Sequence, residues 1–174
     1  GRSQAELYRA AVDTLVAVRA RLPIGAALPL PDGSTYQLPR FDRAALEIEL
    51  DLLLDWYWPA VKGAPAPEAA RRSFHAAWSP VLDLLMAQPP AWFLRDVHAP
   101  NLMWLPDRPP PANVGLLDFQ DALAEPYAYD LVSLLRDARV DVAADLETSL
   151  FRHYCDQIKA REPDFDEASF AALY

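Results

Sequence analysis

Apolar residues recur at helical spacing near both ends of the chain, and a central stretch breaks that rhythm. From Ser3, which reads as a helix N-cap, Tyr8, Val12, Leu15, Val16 and Leu22 follow three or four residues apart until Pro23 interrupts them. A second helix is predicted over about Asp42 to Tyr57, with Leu46, Leu50, Leu53, Leu54 and Tyr57 on one face and Glu47, Asp51 and Asp55 on the other. Between these helices, Pro29, Pro31, the turn pair Asp32 and Gly33, and Pro39 mark a loop with room for a short hairpin around Tyr36. A third helix is predicted over roughly Glu68 to Ala87, ended by Pro89 and Pro90. Phe74, Trp78, Val81, Leu82 and Leu85 form its apolar stripe despite Pro80.

The period then changes. Trp92 to Leu94, Leu102 to Leu105 and Val114 to Leu117 are short apolar runs bounded by turn formers, which predicts three short strands. The proline-rich connection between the second and third belongs on the surface, because proline has no backbone N–H for a ladder. Helical spacing resumes over about Tyr129 to Arg139, Ala143 to Arg161 and from Asp166 onward. The expected fold is α+β and predominantly helical, a single domain over residues 1–174. At 174 residues and 52% hydrophobic composition it has enough apolar surface for a substantial core.

Charge removes several function classes. The chain carries a formal net charge of −9 and only two lysines, Lys62 and Lys159, so no nucleic-acid partner and no anionic membrane surface are expected. Cys155 is the single cysteine, which excludes an intrachain disulfide and a cysteine-based zinc site and fits a reducing compartment. The apolar runs are too short and too charged to span a bilayer, and the N-terminus lacks a secretory pattern, so a cytoplasmic location is expected.

The candidate chemistry lies among the predicted strands. In FLRDVHAPNLMWL, Asp96 and Asn101 occupy the connection between the first two strands, and in VGLLDFQD, Asp118 ends the third. Asp and Asn favour turns in any protein, but a third polar group beside the same strand framework argues for a site. Phosphoryl transfer from ATP needs a carboxylate to orient the attacking hydroxyl and accept its proton, and oxygen ligands for magnesium; Asp96, Asn101 and Asp118 supply that set. His98 is a candidate contact to substrate or phosphate, or a local structural hydrogen-bonder. Asp121 is either a further substrate carboxylate or a solvated one. Asp51 and Asp55 offer sugar-binding carboxylates on one helix face, where a plain solvated face is the alternative. Trp56 and Trp58 read as a stacking wall for a sugar or as core anchors.

The segment from Asp96 through Asn101 to Leu117-Asp118-Phe119 resembles the catalytic loop and metal-binding aspartate of the aminoglycoside phosphotransferase family, with choline kinases and, more distantly, protein kinases. The resemblance implies a kinase-like C-terminal lobe in which short strands carry the catalytic loop, with Asp96 as base and Asn101 and Asp118 as magnesium ligands. Pro126 to Leu131 is similar to a family stretch whose aspartate, here Asp130, braces the loop, and Arg95 is placed with it as structural support. Leu94 stands where the family has a histidine, and Gln120 where protein kinases have glycine, which favours a metabolite over a protein substrate. No glycine-rich loop or strand lysine precedes Asp96. The resemblance therefore implies that the N-terminal nucleotide lobe lies upstream of Gly1, that Tyr174 interrupts a helix, and that the fragment alone is inactive.

Within the family, ELDLLLDWYW and the run from Gly115 to Val142 are most similar to bacterial kinases acting on the anomeric hydroxyl of N-acetylmuramate or N-acetylglucosamine in cell-wall recycling. The implied partners are ATP and a small-molecule hydroxyl substrate. An aminoglycoside or other hydroxylated amine is the alternative substrate, and a non-catalytic binding fragment the alternative function.

Overall fold

The computed structural model describes residues 1–22, 27–87, 91–125 and 128–174. The breaks read at Pro23 and at Pro89 and Pro90, and the Pro126–Tyr127 part of the loop-bracing stretch, lie outside the described residues. Helix α1, Gln4–Arg19, starts where the sequence places its cap. Ser3 Oγ accepts the Glu6 amide at 3.3 Å, and Glu6 Oε2 accepts the Ser3 amide at 2.8 Å, so two amides that helix geometry leaves without partners are satisfied.

The main core forms where α1 meets α6, Ala144–Lys159, together with α5, Tyr129–Leu135, and α7, Glu167–Leu173. Val12 and Val16 from α1, Leu131 and Leu134 from α5, Leu150 and Ile158 from α6, and Phe170 from α7 are all buried in it. Each such side chain contributes about 1.5–3 kcal/mol by leaving water. Phe170 is fully buried, stacked against Tyr154 at 5.3 Å and Phe151 at 5.7 Å between ring centroids. Asp166 begins α7 by accepting the Ser169 amide at 3.0 Å. Arg19, at the end of α1, forks onto Glu162 at 3.0 and 2.7 Å and fastens the far end of the α1–α6 contact.

The second predicted helix is longer than its apolar pattern indicates. Helix α2, Arg43–Leu52, is capped by Asp42, continues through a π-helical turn, Leu53–Tyr57, and runs into α3, Trp58–Lys62, which ends at Gly63 in the left-handed region. A π turn inserts residues into the helical count and rotates the faces after it. Leu54 is buried as expected, but Leu53 and Tyr57, assigned to the same face by regular spacing, are exposed. Helix α4, Glu68–Met86, passes through Pro80 and buries Leu82, while Trp78 and Val81 of its predicted stripe stay exposed. Arg43 links α2 to α4 through Asp83 and Ser79.

Short antiparallel pairs position the loops. Strand β1, Ala27–Pro29, pairs with β2, Thr35–Gln37, forming the short hairpin expected around Tyr36, with the Asp32–Gly33 turn between its strands. Strand β4, Leu102–Trp104, pairs with β5, Val114–Leu116, and β3, Ala91–Phe93, pairs with β6, Leu123–Glu125. The sequence reading identifies β3, β4 and β5 and omits β6. The two ladders bring the β3–β4 connection and the β5–β6 connection side by side. The observed fold is thus mainly helical with a few short strands, and among the described residues no helix is long and apolar enough to cross a membrane.

Candidate functional site

The β3–β4 connection is shaped from beneath by Asp130 in the first turn of α5. Its two carboxylate oxygens accept the Leu94 amide, each at 2.9 Å, and one also accepts the Arg95 amide at 3.1 Å. Enclosure of this carboxylate pushes its pKa up to about 7; the two backbone donors pull against burial, and the charge of Asp96 adds to it. Ser133 Oγ, one turn along α5, donates to the Arg95 carbonyl at 3.3 Å. Between these anchors Arg95 has φ 72°, a region that costs a side chain with a Cβ about 1–2 kcal/mol. Its guanidinium reaches Glu49 Oε1 at 2.6 Å and lies over the Phe41 ring, 5.8 Å from the centroid.

Beyond Arg95 the chain folds back in tight turns. The His98 amide donates to the Asp96 carbonyl at 3.0 Å, and the Asn101 amide closes the 3-10 turn Ala99–Asn101 on the His98 carbonyl at 2.9 Å. The Asn101 side chain then joins the two connections. Its Nδ2 donates to the Asp96 carbonyl at 3.0 Å and lies 3.5 Å from Asp118 Oδ2, while the Asn101 carbonyl accepts the Leu117 amide at 2.9 Å. Asp118 is exposed, has φ 57°, a conformation that Asp enters more readily than most residues, and accepts a hydrogen bond from the Gln120 side chain.

Asp96, Asn101 and Asp118, separated in sequence, are therefore brought together. Asn101 Nδ2 is the atom turned to the Asp96 carbonyl and to Asp118 Oδ2, so the oxygens these residues could offer a cation are the Asn101 amide oxygen and the Asp118 carboxylate. That pair of hard oxygens fits magnesium, which takes few protein ligands and keeps water and phosphate for the rest. No group of three or more His, Cys, Asp or Glu side chains is placed to hold a metal among the described residues.

The other candidates fall elsewhere. Asp121 is exposed at the end of the 3-10 turn Phe119–Asp121, on the Asp118 connection. Asp51 pairs with Arg71 at 3.4 Å and with His75 at 2.9 Å, and Asp55 pairs with Arg71. These carboxylates stitch α2 and the π turn to α4 instead of forming an unpartnered acidic face. His98 turns Nδ1 into the protein, where it has no hydrogen-bond partner among the described residues. It lies within electrostatic reach of Asp137: burial pushes that carboxyl up, but the Arg139 amide and guanidinium, with His98, hold it below its usual range. Trp56 is exposed and anchors no core.

Sequence reasoning passed over Glu49 and Tyr129. Tyr129 packs on Phe93 at 4.9 Å and Phe41 at 5.9 Å, and its hydroxyl is pushed up first by burial and then by Glu49, with Arg95, Asp96 and Asp130 also in range. Only the adjacency of Tyr129 to Asp130 hinted at this position, whereas Glu49 reaches the loop across a long sequence separation.

The chain is 37% identical over all of its 174 residues to the N-acetylmuramate/N-acetylglucosamine kinase of Caulobacter vibrioides, covering 46% of that protein. It is 35% identical over 123 residues to the enzyme of the same name from Neisseria meningitidis serogroup B, covering 71% of this chain and 35% of that one. A third kinase of this name, from Pseudomonas putida, is 32% identical over 134 residues. The chain thus spans less than half the length of the curated relatives it matches. Residues 1–171 match the model of the phosphotransferase enzyme family, APH, and the chain belongs to that family.

Proposed function

We propose that this chain is the acceptor-binding, catalytic lobe of an ATP-dependent kinase acting on the anomeric hydroxyl of an amino sugar, N-acetylmuramate or N-acetylglucosamine. The observation that carries the reading is the Asn101 side chain, which ties the backbone of Asp96 to the neighbourhood of Asp118. Asp96 orients the acceptor hydroxyl and takes its proton as the oxygen attacks the γ-phosphorus of ATP, and ADP leaves with the bridging oxygen. Magnesium, when bound by Asn101 and Asp118, neutralises the phosphate charge. Asp130 fixes the backbone before the base, with Arg95 held in the same loop.

The substrate class comes from the names of the relatives. In this reading residues 1–174 form one domain with a kinase-like C-terminal lobe architecture, the nucleotide lobe lies outside them, and the enzyme works in the cytoplasm on sugars released in cell-wall recycling. Asp121 is the further carboxylate available to sugar hydroxyls, because Asp51 and Asp55 are engaged by Arg71 and His98 is directed inward. The test is ADP formation by the full-length protein with magnesium and N-acetylmuramate, N-acetylglucosamine, kanamycin or choline. Turnover of an amino sugar that is lost in Asp96→Asn supports the reading. Turnover of kanamycin or choline alone, or an undiminished Asp96→Asn variant, overturns it.

A further inference from the structure

Arg95 occupies a position that its backbone conformation makes costly. At φ 72° a glycine would sit without strain, so an arginine held there calls for a use of its side chain. Bracing the loop does not require that side chain: Asp130 holds the Arg95 amide and Ser133 its carbonyl, and both act on backbone atoms. The guanidinium instead projects to Glu49, and neither group is sealed away, with the side chains 33% and 41% exposed. An ion pair this exposed contributes little to stability and is readily exchanged.

The setting is acidic. Asp96, Asp118, Asp121, Asp130 and Glu49 all lie on or against the two connections, so an anionic acceptor that brings its hydroxyl to Asp96 needs a cation close by. Arg95 is next to Asp96 in the chain, and its guanidinium lies over the Phe41 ring, which meets Tyr129 edge-on at 5.9 Å beside the Asp130 that holds the Arg95 amide, so the ion pair stays against the loop that carries Asp96. A guanidinium offers five N–H donors in a planar fork that matches a carboxylate, and Glu49 engages one of them at 2.6 Å.

We propose that Arg95 is a specificity-determining residue for the acceptor: its guanidinium leaves Glu49 to bind the carboxylate of an acidic amino sugar such as N-acetylmuramate. N-acetylglucosamine, which has no carboxylate, leaves the Arg95–Glu49 pair in place. The proposal rests on the amino-sugar kinase reading and deepens it by assigning the group that distinguishes the two sugars.

The experiment measures kcat and KM of the full-length enzyme for both sugars in the wild type, Arg95→Gly, Arg95→Lys and Glu49→Gln. Arg95→Gly accepts the left-handed backbone and so preserves the loop. It is expected to lower kcat/KM for N-acetylmuramate about 10- to 100-fold more than for N-acetylglucosamine, chiefly through KM, the range for losing one charge-assisted contact. Arg95→Lys should restore part of the difference. Glu49→Gln frees the guanidinium and should lower KM for N-acetylmuramate. Equal losses on both sugars in Arg95→Gly would make the side chain a brace and overturn the proposal, as would a raised N-acetylmuramate KM in Glu49→Gln. A wild type that phosphorylates N-acetylglucosamine but never N-acetylmuramate refutes the role of Arg95 while leaving the kinase reading intact. Silence with both sugars removes that reading and this proposal with it.

Discussion

The core between α1 and α6 and the loop that carries Asp96 are built on opposite terms. In the core, Val12, Leu134, Ile158 and Phe170 hold position by excluding water, and the contacts are numerous and individually weak. In the loop, position depends on a few directional bonds: Asp130 to two amides, Ser133 to a carbonyl, and Asn101 to the Asp96 carbonyl. Volume therefore governs the first region and donor geometry the second. Damage to the core should appear as lost stability, and damage to the loop as lost activity in a protein that still folds.

The sharpest separation comes from pairing Asp96→Asn with Phe170→Ala. The first should cut turnover by the full-length enzyme roughly 100- to 10,000-fold, the range for losing a general base, with an unchanged melting temperature. The second empties a stacked, fully buried site and should cost about 3–5 kcal/mol in chemical denaturation. An Asp96→Asn protein that unfolds early, or a Phe170→Ala protein that does not, would dissolve the distinction.

Asp130 sits where the two regions meet and should report on both. Its pKa is raised in the fold, so between the ordinary carboxylate range and about pH 7 the folded chain keeps a proton that the unfolded chain has released. Stability from this group is greatest below that window and falls as pH rises through it, by at most about 1.4 kcal/mol per pH unit. Denaturation series from pH 4 to 8 should show a flatter profile in Asp130→Asn than in the wild type, and equal slopes would remove the linkage. The smallest effect is expected at the rim of the core: Ser3→Ala loses the cap of α1 and should cost about 1 kcal/mol in the same assay, with activity retained.

The core region was legible in the sequence because helical spacing and a Ser3 cap are local signals, whereas the Asp166 cap of α7 shows only in the structure. The placement of Asp96, Asn101 and Asp118 was legible for a different reason, since short apolar runs flanked the polar residues. What escaped depends on distant partners. Strand β6 is three residues long and has meaning only against β3. The exposure of Tyr57 follows from a π turn that no regular period announces. Asp51 and Asp55 looked like free carboxylates until α4 supplied Arg71, and the φ of Arg95 was hidden because an arginine gives none of the warning a glycine would.

The β4–β5 ladder also has a consequence for protein engineering and for lineage divergence. Its three residue pairs begin beside Asn101 and Asp118 and run away from them, so the proline-rich connection closes the hairpin roughly 10–13 Å from those residues along the strands. Thr14 grips the far side of that connection through the Pro111 carbonyl at 2.8 Å, but Asp107 to Pro109 is exposed. Added length there lies off the path between Asp96 and Asp118, which makes this tip a suitable place to graft a fluorophore or affinity tag and a segment free to lengthen as the gene drifts.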